Sequence, residues 1–326
     1  MMFGTAPVDE ALGCILAHSV RLIGQSLPKG LRLEAEHVAA LAAAGVAEVV
    51  VARLGPEDVH EDAAARALAA AICGPGLVAS KAATGRVNLR SAMPGVVEVD
   101  ADAVDAVNRI DPAITVATVA PWTRLGPRGL AVTVKIIPFA APAAALARAV
   151  EAGRDAVCLH GVAVTCASLI ETQVAAAASN DKGRRAVKAR LDRMGVDLSE
   201  RVVVDHEIAP IAAAIAAAPG DLVLILTGSA TSDQADTAPE ALRAAGGRVI
   251  RYGMPVDPGN LLLLGRLGDR VVIGLPGCAR SPALNGADWV MERVICGVPP
   301  EAIDIAGMGV GGLLKEIPSR PRPRED

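Results

Sequence analysis

Residues able to do chemistry collect at a few places in this chain. The most promising follows the apolar run 221–227, where Thr227, Gly228, Ser229, Ala230, Thr231 and Ser232 stand in a row and Asp236 and Thr237 come just beyond. Glycine and short hydroxyl residues between a strand and a helix leave backbone N–H groups pointing outward. The helix dipole adds to them, so the spot suits a phosphate or another oxyanion. Asp236 or Thr237 offers the helix N-cap, with Pro239 in the first turn. An ordinary capped loop has the same composition, and the run matches neither a Walker A loop nor a dinucleotide fingerprint.

A second place is 253–282, where Pro258-Gly259 and Pro276-Gly277 end consecutive apolar strands and Arg280 and Ser281 follow. Such turns bring backbone close to whatever lies above the sheet, although two plain hairpin turns would read alike. Asp58, His60, Glu61 and Asp62 could ligate a hard metal ion, or could simply begin a helix whose dipole favours acids. His160 reads as a satisfied core histidine and His206 as part of a strand-end surface cluster. The Lys/Arg run 182–193 reads as a solvated helix face paired with Asp181 and Asp192.

The elements that must position these residues differ between the two halves. Before about residue 153 the pattern mixes short strands and helices. It predicts helices over 8–20, 34–45, 61–73 and 101–110, and extended segments at 46–54, 85–90, 95–99, 113–119 and 130–137. From about 154 strands and helices alternate. Strands are expected at 155–164, 201–207, 221–227 and 248–254, with a hairpin over 261–276. Helices are expected at 181–194, 208–218, 238–245 and 281–296. Such alternation predicts a mostly parallel sheet covered on both faces, with ligands beyond the carboxyl ends of its strands. The fold class is therefore α/β, with a smaller α+β domain over 1–153, the α/β domain over 154–300 and a tail over 301–326.

Composition narrows the partners. Two Phe, two Trp and one Tyr in 326 residues cannot supply the stacking platforms of single-strand nucleic-acid binders. A formal charge of -4 offers no basic field for nucleic acid or anionic lipid. The Ala-rich run 137–150 is interrupted by Pro138, Pro142 and Arg148, short of the roughly 20 apolar residues of a membrane span. The opening MMFGTAPVDE lacks the basic and apolar regions of a secretory leader, and the scattered cysteines form no C-x-x-C pair. A cytoplasmic protein without a membrane or nucleic-acid partner is expected.

Residues 155–297 resemble the molybdopterin-binding domain shared by molybdenum insertases and molybdopterin adenylyltransferases. The insertase loop T-G-G-V-S-V-G-x-x-D aligns without gaps with Thr227 through Asp236. The motif G-L-P-G-N-P-x-S aligns with Gly274-Leu275-Pro276-Gly277-Cys278-Ala279-Arg280-Ser281, and Asp181–Gly195 looks like the family's charged helix. In the first half, Ala11-Leu12-Gly13, Leu16-Ala17 and Lys29-Gly30 resemble the opening of the insertases. DVHED (58–62), TGRVNL (84–89), VKIIPFA (134–140) and 253–268 are similar to segments of proteobacterial molybdopterin-binding proteins, some fused to a nucleotidyltransferase-like domain. The tail PSRPRPRED (318–326) reads as a linker that would suit such a fusion.

The resemblance implies a three-layer domain that binds molybdopterin or molybdenum cofactor during cofactor biosynthesis. It places the cofactor on Thr227, Gly228, Ser229, Ala230, Thr231, Ser232, Pro258, Gly259, Pro276, Gly277, Arg280 and Ser281. Asp236 becomes the catalytic acid or Mg²⁺ ligand. Two insertase lysines are matched here by Asp257 and Asn260, and the family's T-G-N-E acid, placed at 164–168, has no counterpart. Losing two cations weakens the hold on dianionic molybdate. A holder serving a cofactor nucleotidyltransferase is therefore favoured over a Mg²⁺-dependent molybdenumtransferase. A nucleotide pyrophosphate hydrolase of the competence/damage-inducible type is the other alternative. Homo-oligomers, common in these families, are expected.

Overall fold

The computed structural model describes residues 1–174 and 181–314. The linker reading of 318–326 falls outside them. Two compact units divide the chain: residues 1–93 with 97–159, and residues 94–96 with 160 onward.

The first unit opens with a three-stranded antiparallel sheet in the order Met2–Pro7, Glu48–Arg53, Ile15–Leu16, accompanied by the helix Ala35–Ala43. The helix expected over 8–20 does not form. Val8–Glu10 makes one 3-10 turn, Gly13 takes the left-handed region at φ +78°, and Ile15–Leu16 then pairs with Ala52 and Val51. The apolar spacing reflects a chain folded over its own core, because Ala11, Cys14 and Leu16 are buried with Leu33, Leu41 and Val51.

The rest of this unit is built around a four-stranded antiparallel sheet, ordered Ile114–Thr118, Leu130–Ile136, Arg86–Ser91, Leu77–Ala79. Helices Glu61–Ile72, Ala101–Ile110 and Ala143–Ala152 complete it, and Leu68, Ile72, Val87, Val107, Ile114 and Val134 share one buried cluster. Asp100 caps the helix Ala101–Ile110, accepting from the Ala103 N–H at 2.9 Å.

The second unit holds a seven-stranded sheet in the order Asp197–Leu198, Cys166–Gln173, Leu222–Leu226, Arg270–Leu275, Leu263–Leu267, Arg248–Tyr252, with Val202–Asp205 also pairing to Cys166–Gln173. Cys166–Gln173 is parallel to its three partners, and Leu222–Leu226 is parallel to Arg270–Leu275. The last two strands join antiparallel. The first parallel strand was expected at 155–164. That segment instead forms Val157–Gly161 in a separate three-stranded sheet with Gly95–Val99 and Thr123–Leu125.

All five residues of Leu222–Leu226 are buried, as a strand covered on both faces must be. Val223 and Ile225 point to one face, where Ile211, Ile215 and Leu242 from helices Ile208–Ala217 and Thr237–Ala244 pack. On the other face Gly183, in helix Lys182–Asp192, lies so near Leu226 that an added Cβ would come within 2.6 Å of its Cδ2. The absent side chain lets that helix approach the sheet. Each unit contains one tryptophan, Trp122 in the first and Trp289, on helix Gly286–Ile295, in the second.

Candidate functional site

Strand direction sets the site. Cys166–Gln173, Leu222–Leu226 and Arg270–Leu275 all point the same way, and Leu263 lies opposite Gly274. The loops 227–236, 253–262 and 276–283 therefore leave one edge of the sheet. This topology brings Thr227–Asp236, Pro258-Gly259 and Pro276–Ser281 to the same edge.

Two side chains tie the loops together. Arg280 donates to the Thr227 carbonyl at 2.6 Å, and Tyr252 donates through its hydroxyl to the Thr231 carbonyl at 2.9 Å. Burial raises the Tyr252 pKa, and the charges of Asp233 and Asp236 add to the effect, so the hydroxyl remains a donor.

Inside the first loop the N–H groups are unequally available. The Gly228 N–H donates to Thr172 Oγ1 at 2.7 Å, and Thr172 Oγ1 lies 2.8 Å from His206 Nδ1. Gly228 is required by protein packing: a Cβ there would sit 2.7 Å from the Thr172 carbonyl oxygen. The Ser232 N–H donates to Asp236 Oδ2 at 2.9 Å. Among the described residues, no intrachain partner takes the N–H groups of Ser229, Ala230 or Thr231. The expected cradle of 228–232 thus narrows to these three, and His206, read as surface, is tied to the loop through Thr172.

Asp236 caps helix Thr237–Ala244. Its Oδ1 accepts from the Thr237 N–H at 2.6 Å, and Oδ2 accepts from Ser232. The N–H groups of Ser232 and Thr237 hold its carboxyl below the usual carboxylate range, so it is ionised at neutral pH. Both oxygens already accept hydrogen bonds, and the nearby Asp233 spends Oδ1 on the Ala235 N–H at 2.8 Å. Each Asp236 oxygen keeps one lone pair, and a Mg²⁺ ion here would complete its shell with phosphate and water.

The loop 276–283 is held from outside. Pro276 precedes the 3-10 turn Gly277–Arg280, and a Cβ on Gly277 would meet open space. Arg190 is buried, which corrects its reading as part of a solvated face. It pairs with buried Asp288 and donates to the carbonyls of Ala279 at 3.0 Å and of Ser281 and Ala283 at 2.9 Å. Its position on helix Lys182–Asp192, one turn from Ala186 on the buried side, is the signal that could have separated it from its charged neighbours.

The carboxyl end of Cys166–Gln173 carries Glu171 and Thr172. Residues 164–168, where an acid was sought, lie at the amino end of this strand. Glu171 is buried and pairs with Arg201 at 2.8 Å, and Arg201 also reaches Asp181. Asp257 and Asn260 lie in the middle loop. Asp257 exchanges backbone hydrogen bonds with Gly312 and Leu314, and the Asn260 carbonyl accepts from the Met254 N–H at 3.0 Å. Gly259, at φ +144°, packs against Gly286, whose N–H donates to the Pro258 carbonyl at 2.8 Å.

The acids at 58–62 diverge. Asp58 pairs with the Met1 ammonium at 2.6 Å, His60 Nδ1 accepts from the Asp62 N–H, Glu61 faces Lys135, and Asp62 accepts from the Gly85 N–H. They begin a helix. No helix among the described residues is long and apolar enough to cross a membrane.

Residues 162–294 match a family described as "Probable molybdopterin binding domain", and residues 5–53 match a domain family of unknown function. Among solved structures, a molybdopterin biosynthesis MoeA protein from Pyrococcus horikosii is 13% identical, covering 94% of this chain and 76% of its own, with a TM-score of 0.30. Molybdenum cofactor biosynthesis protein B is 16% identical over 41% of this chain and 94% of its own, with a TM-score of 0.31. A MogA structure is 23% identical over 40% and 92%, with a TM-score of 0.28. No curated protein matches the chain. The seven-stranded unit is thus similar in sequence to a molybdopterin-binding domain.

Proposed function

We propose that the second unit binds the phosphate end of molybdopterin or molybdenum cofactor during cofactor biosynthesis. The observation that carries the reading is the loop after Leu222–Leu226. It lies inside the matched segment, presents the N–H groups of Ser229, Ala230 and Thr231 beside a helix N-terminus, and is tethered by Arg280. Pro258-Gly259 and Pro276-Gly277 supply neighbouring backbone at the same edge. Asp236 shapes the cradle by fixing Ser232. A Mg²⁺ here would draw most of its ligands from phosphate and water.

The chain acts in this reading as a holder that presents cofactor to a nucleotidyltransferase, as a homo-oligomer in the cytoplasm. Asp257 and Asn260 place no cation in the middle loop, which disfavours molybdate capture and insertion. Six free cysteines suit a reducing compartment.

Anaerobic titration of the full chain with molybdopterin, followed by pterin fluorescence, tests the proposal. Saturable binding is expected, weakened about tenfold in Arg280→Ala through loss of a charged donor. A folded protein that binds no pterin would overturn it.

A further inference from the structure

The first unit contains a pocket of about 460 Å³ with no role in the reading above. Its lining draws on segments far apart in the chain: Lys29 with Gly30, Glu61, Thr84, Lys135, and the run Ile137–Phe139. Two of the chain's six lysines and one of its two phenylalanines meet here.

The charged groups are held in place. Lys135 Nζ lies 3.6 Å from Glu61 Oε2 and donates to the Thr84 carbonyl. Thr84 is β-branched and yet sits at φ +50°, a conformation such residues rarely adopt. Its hydroxyl is turned to the Ala83 carbonyl at 2.8 Å, which leaves its own carbonyl to Lys135. Gly85 makes room for the ion pair, since a Cβ there would meet Lys135 Nζ at 3.0 Å and the Ile136 carbonyl oxygen at 2.7 Å. Lys29 Nζ stands 5.6 Å from the centre of the Phe139 ring.

Among the lining residues two ammonium groups face the single carboxylate of Glu61, while the Asp62 carboxylate behind the wall is engaged by the Gly85 N–H. Burial pushes the Glu61 carboxyl up, and the charge of Lys135 opposes that shift. The remaining wall is apolar, and Ile137 is 59% exposed, so a ligand with a hydrocarbon body would cover surface now in water. An apolar wall with a few convergent charges, in a volume of this size, is the usual make-up of a small-molecule site.

We propose that this pocket is a second ligand site, which takes a small organic anion: a phosphate or carboxylate head between Lys29 and Lys135, and an apolar body against Ile137 and Pro138. The head is the shared chemistry of the two ligand sources, and the probes separate them.

The test uses the full chain with its lysines dimethylated by isotope-labelled formaldehyde, a change that keeps their charge. Lysine NMR signals are assigned with Lys29→Arg and Lys135→Arg. Phenyl phosphate, benzoate and inorganic phosphate are titrated separately at constant ionic strength. The signals of Lys29 and Lys135 should move together and saturate, while those of Lys81, Lys182 and Lys188 stay still. At least one aromatic anion should bind about tenfold more tightly than inorganic phosphate. Tighter binding of phenyl phosphate than benzoate assigns the head as phosphate, and the reverse as carboxylate. Lys135→Met combined with Glu61→Gln, which leaves no lone buried carboxylate, should abolish the response of Lys29, and Lys81→Met should preserve it. The proposal is overturned if neither pocket signal moves, if all lysines drift without saturation, or if inorganic phosphate binds as well as both aromatic anions. The unmutated protein decides the matter even where the double variant fails to fold.

Discussion

Two neighbouring loops at the edge of the seven-stranded sheet are stabilised in opposite ways. The loop 227–236 carries a brace of its own, Asp236 reaching back four residues to Ser232 and forward to Thr237, beside its ties to Thr172, Tyr252 and Arg280. The loop 276–283 is organised from a distant helix, by Arg190 spreading its guanidinium over three of the loop's carbonyls and Asp288. A local carboxylate leaves neighbouring N–H groups open to a ligand. A buried guanidinium makes the second loop inseparable from the core.

The sharpest way to break this contrast is Arg190→Met. It strands Asp288 in the interior and leaves the loop carbonyls without their donor. A loss of about 3–5 kcal/mol is expected, read as a lower midpoint in urea. A loss below about 1 kcal/mol would mean that the loop carries its own support.

Gly228→Val tests the first loop at its anchor. The new side chain would press on the Thr172 carbonyl, so about 1–3 kcal/mol should be lost by overpacking before any ligand is added. Thr172→Val separates the causes, since it removes the acceptor of the Gly228 N–H without a clash at Gly228. It should cost about 1 kcal/mol. Equal stability of Gly228→Val and the parent would place the loop away from that strand.

The smallest effect belongs to Asp236. Replacement by Ala should cost about 1 kcal/mol, and replacement by Asn only a few tenths, because Asn also caps. The two differ from the parent in acid. The folded carboxyl titrates below its unfolded value, so its contribution is complete above the unfolded pKa and is lost as the pH falls through the lowered one. Urea midpoints of parent and Asn variant should therefore converge in acid. Parallel curves would show that the ionised carboxylate adds nothing to the cap. Pterin binding in the Asn variant, with and without Mg²⁺, separates metal positioning from capping: a weaker, flatter Mg²⁺ response is expected if the carboxylate holds the ion.

What the sequence made visible follows the same division. Leu222–Leu226 is legible because both of its faces are apolar, and the glycine and hydroxyl residues after it mark the loop. Cys166–Gln173 is hidden, although it pairs with three strands, because its polar residues have partners far along the chain. Ser168 accepts from the Gly220 N–H, Glu171 takes Arg201, and Thr172 takes the Gly228 N–H. Read locally, those residues argue against a buried strand. Arg190 was hidden for a related reason, since five other Lys and Arg residues lie within 182–193 and only its one-turn spacing from Ala186 marks it as the inward one. Gly13 explains the false helix over 8–20: the apolar spacing was real, but the backbone turns left-handed there.

The placement of the two tryptophans has an experimental consequence. Trp122 belongs to one compact unit and Trp289 to the other, and both are half-buried. Replacing either with Phe leaves a chain whose indole emission comes from a single unit. Each unit can then be melted under its own optical signal, without labels and without cutting the chain. Coincident transitions would identify one cooperative block, and separate ones two.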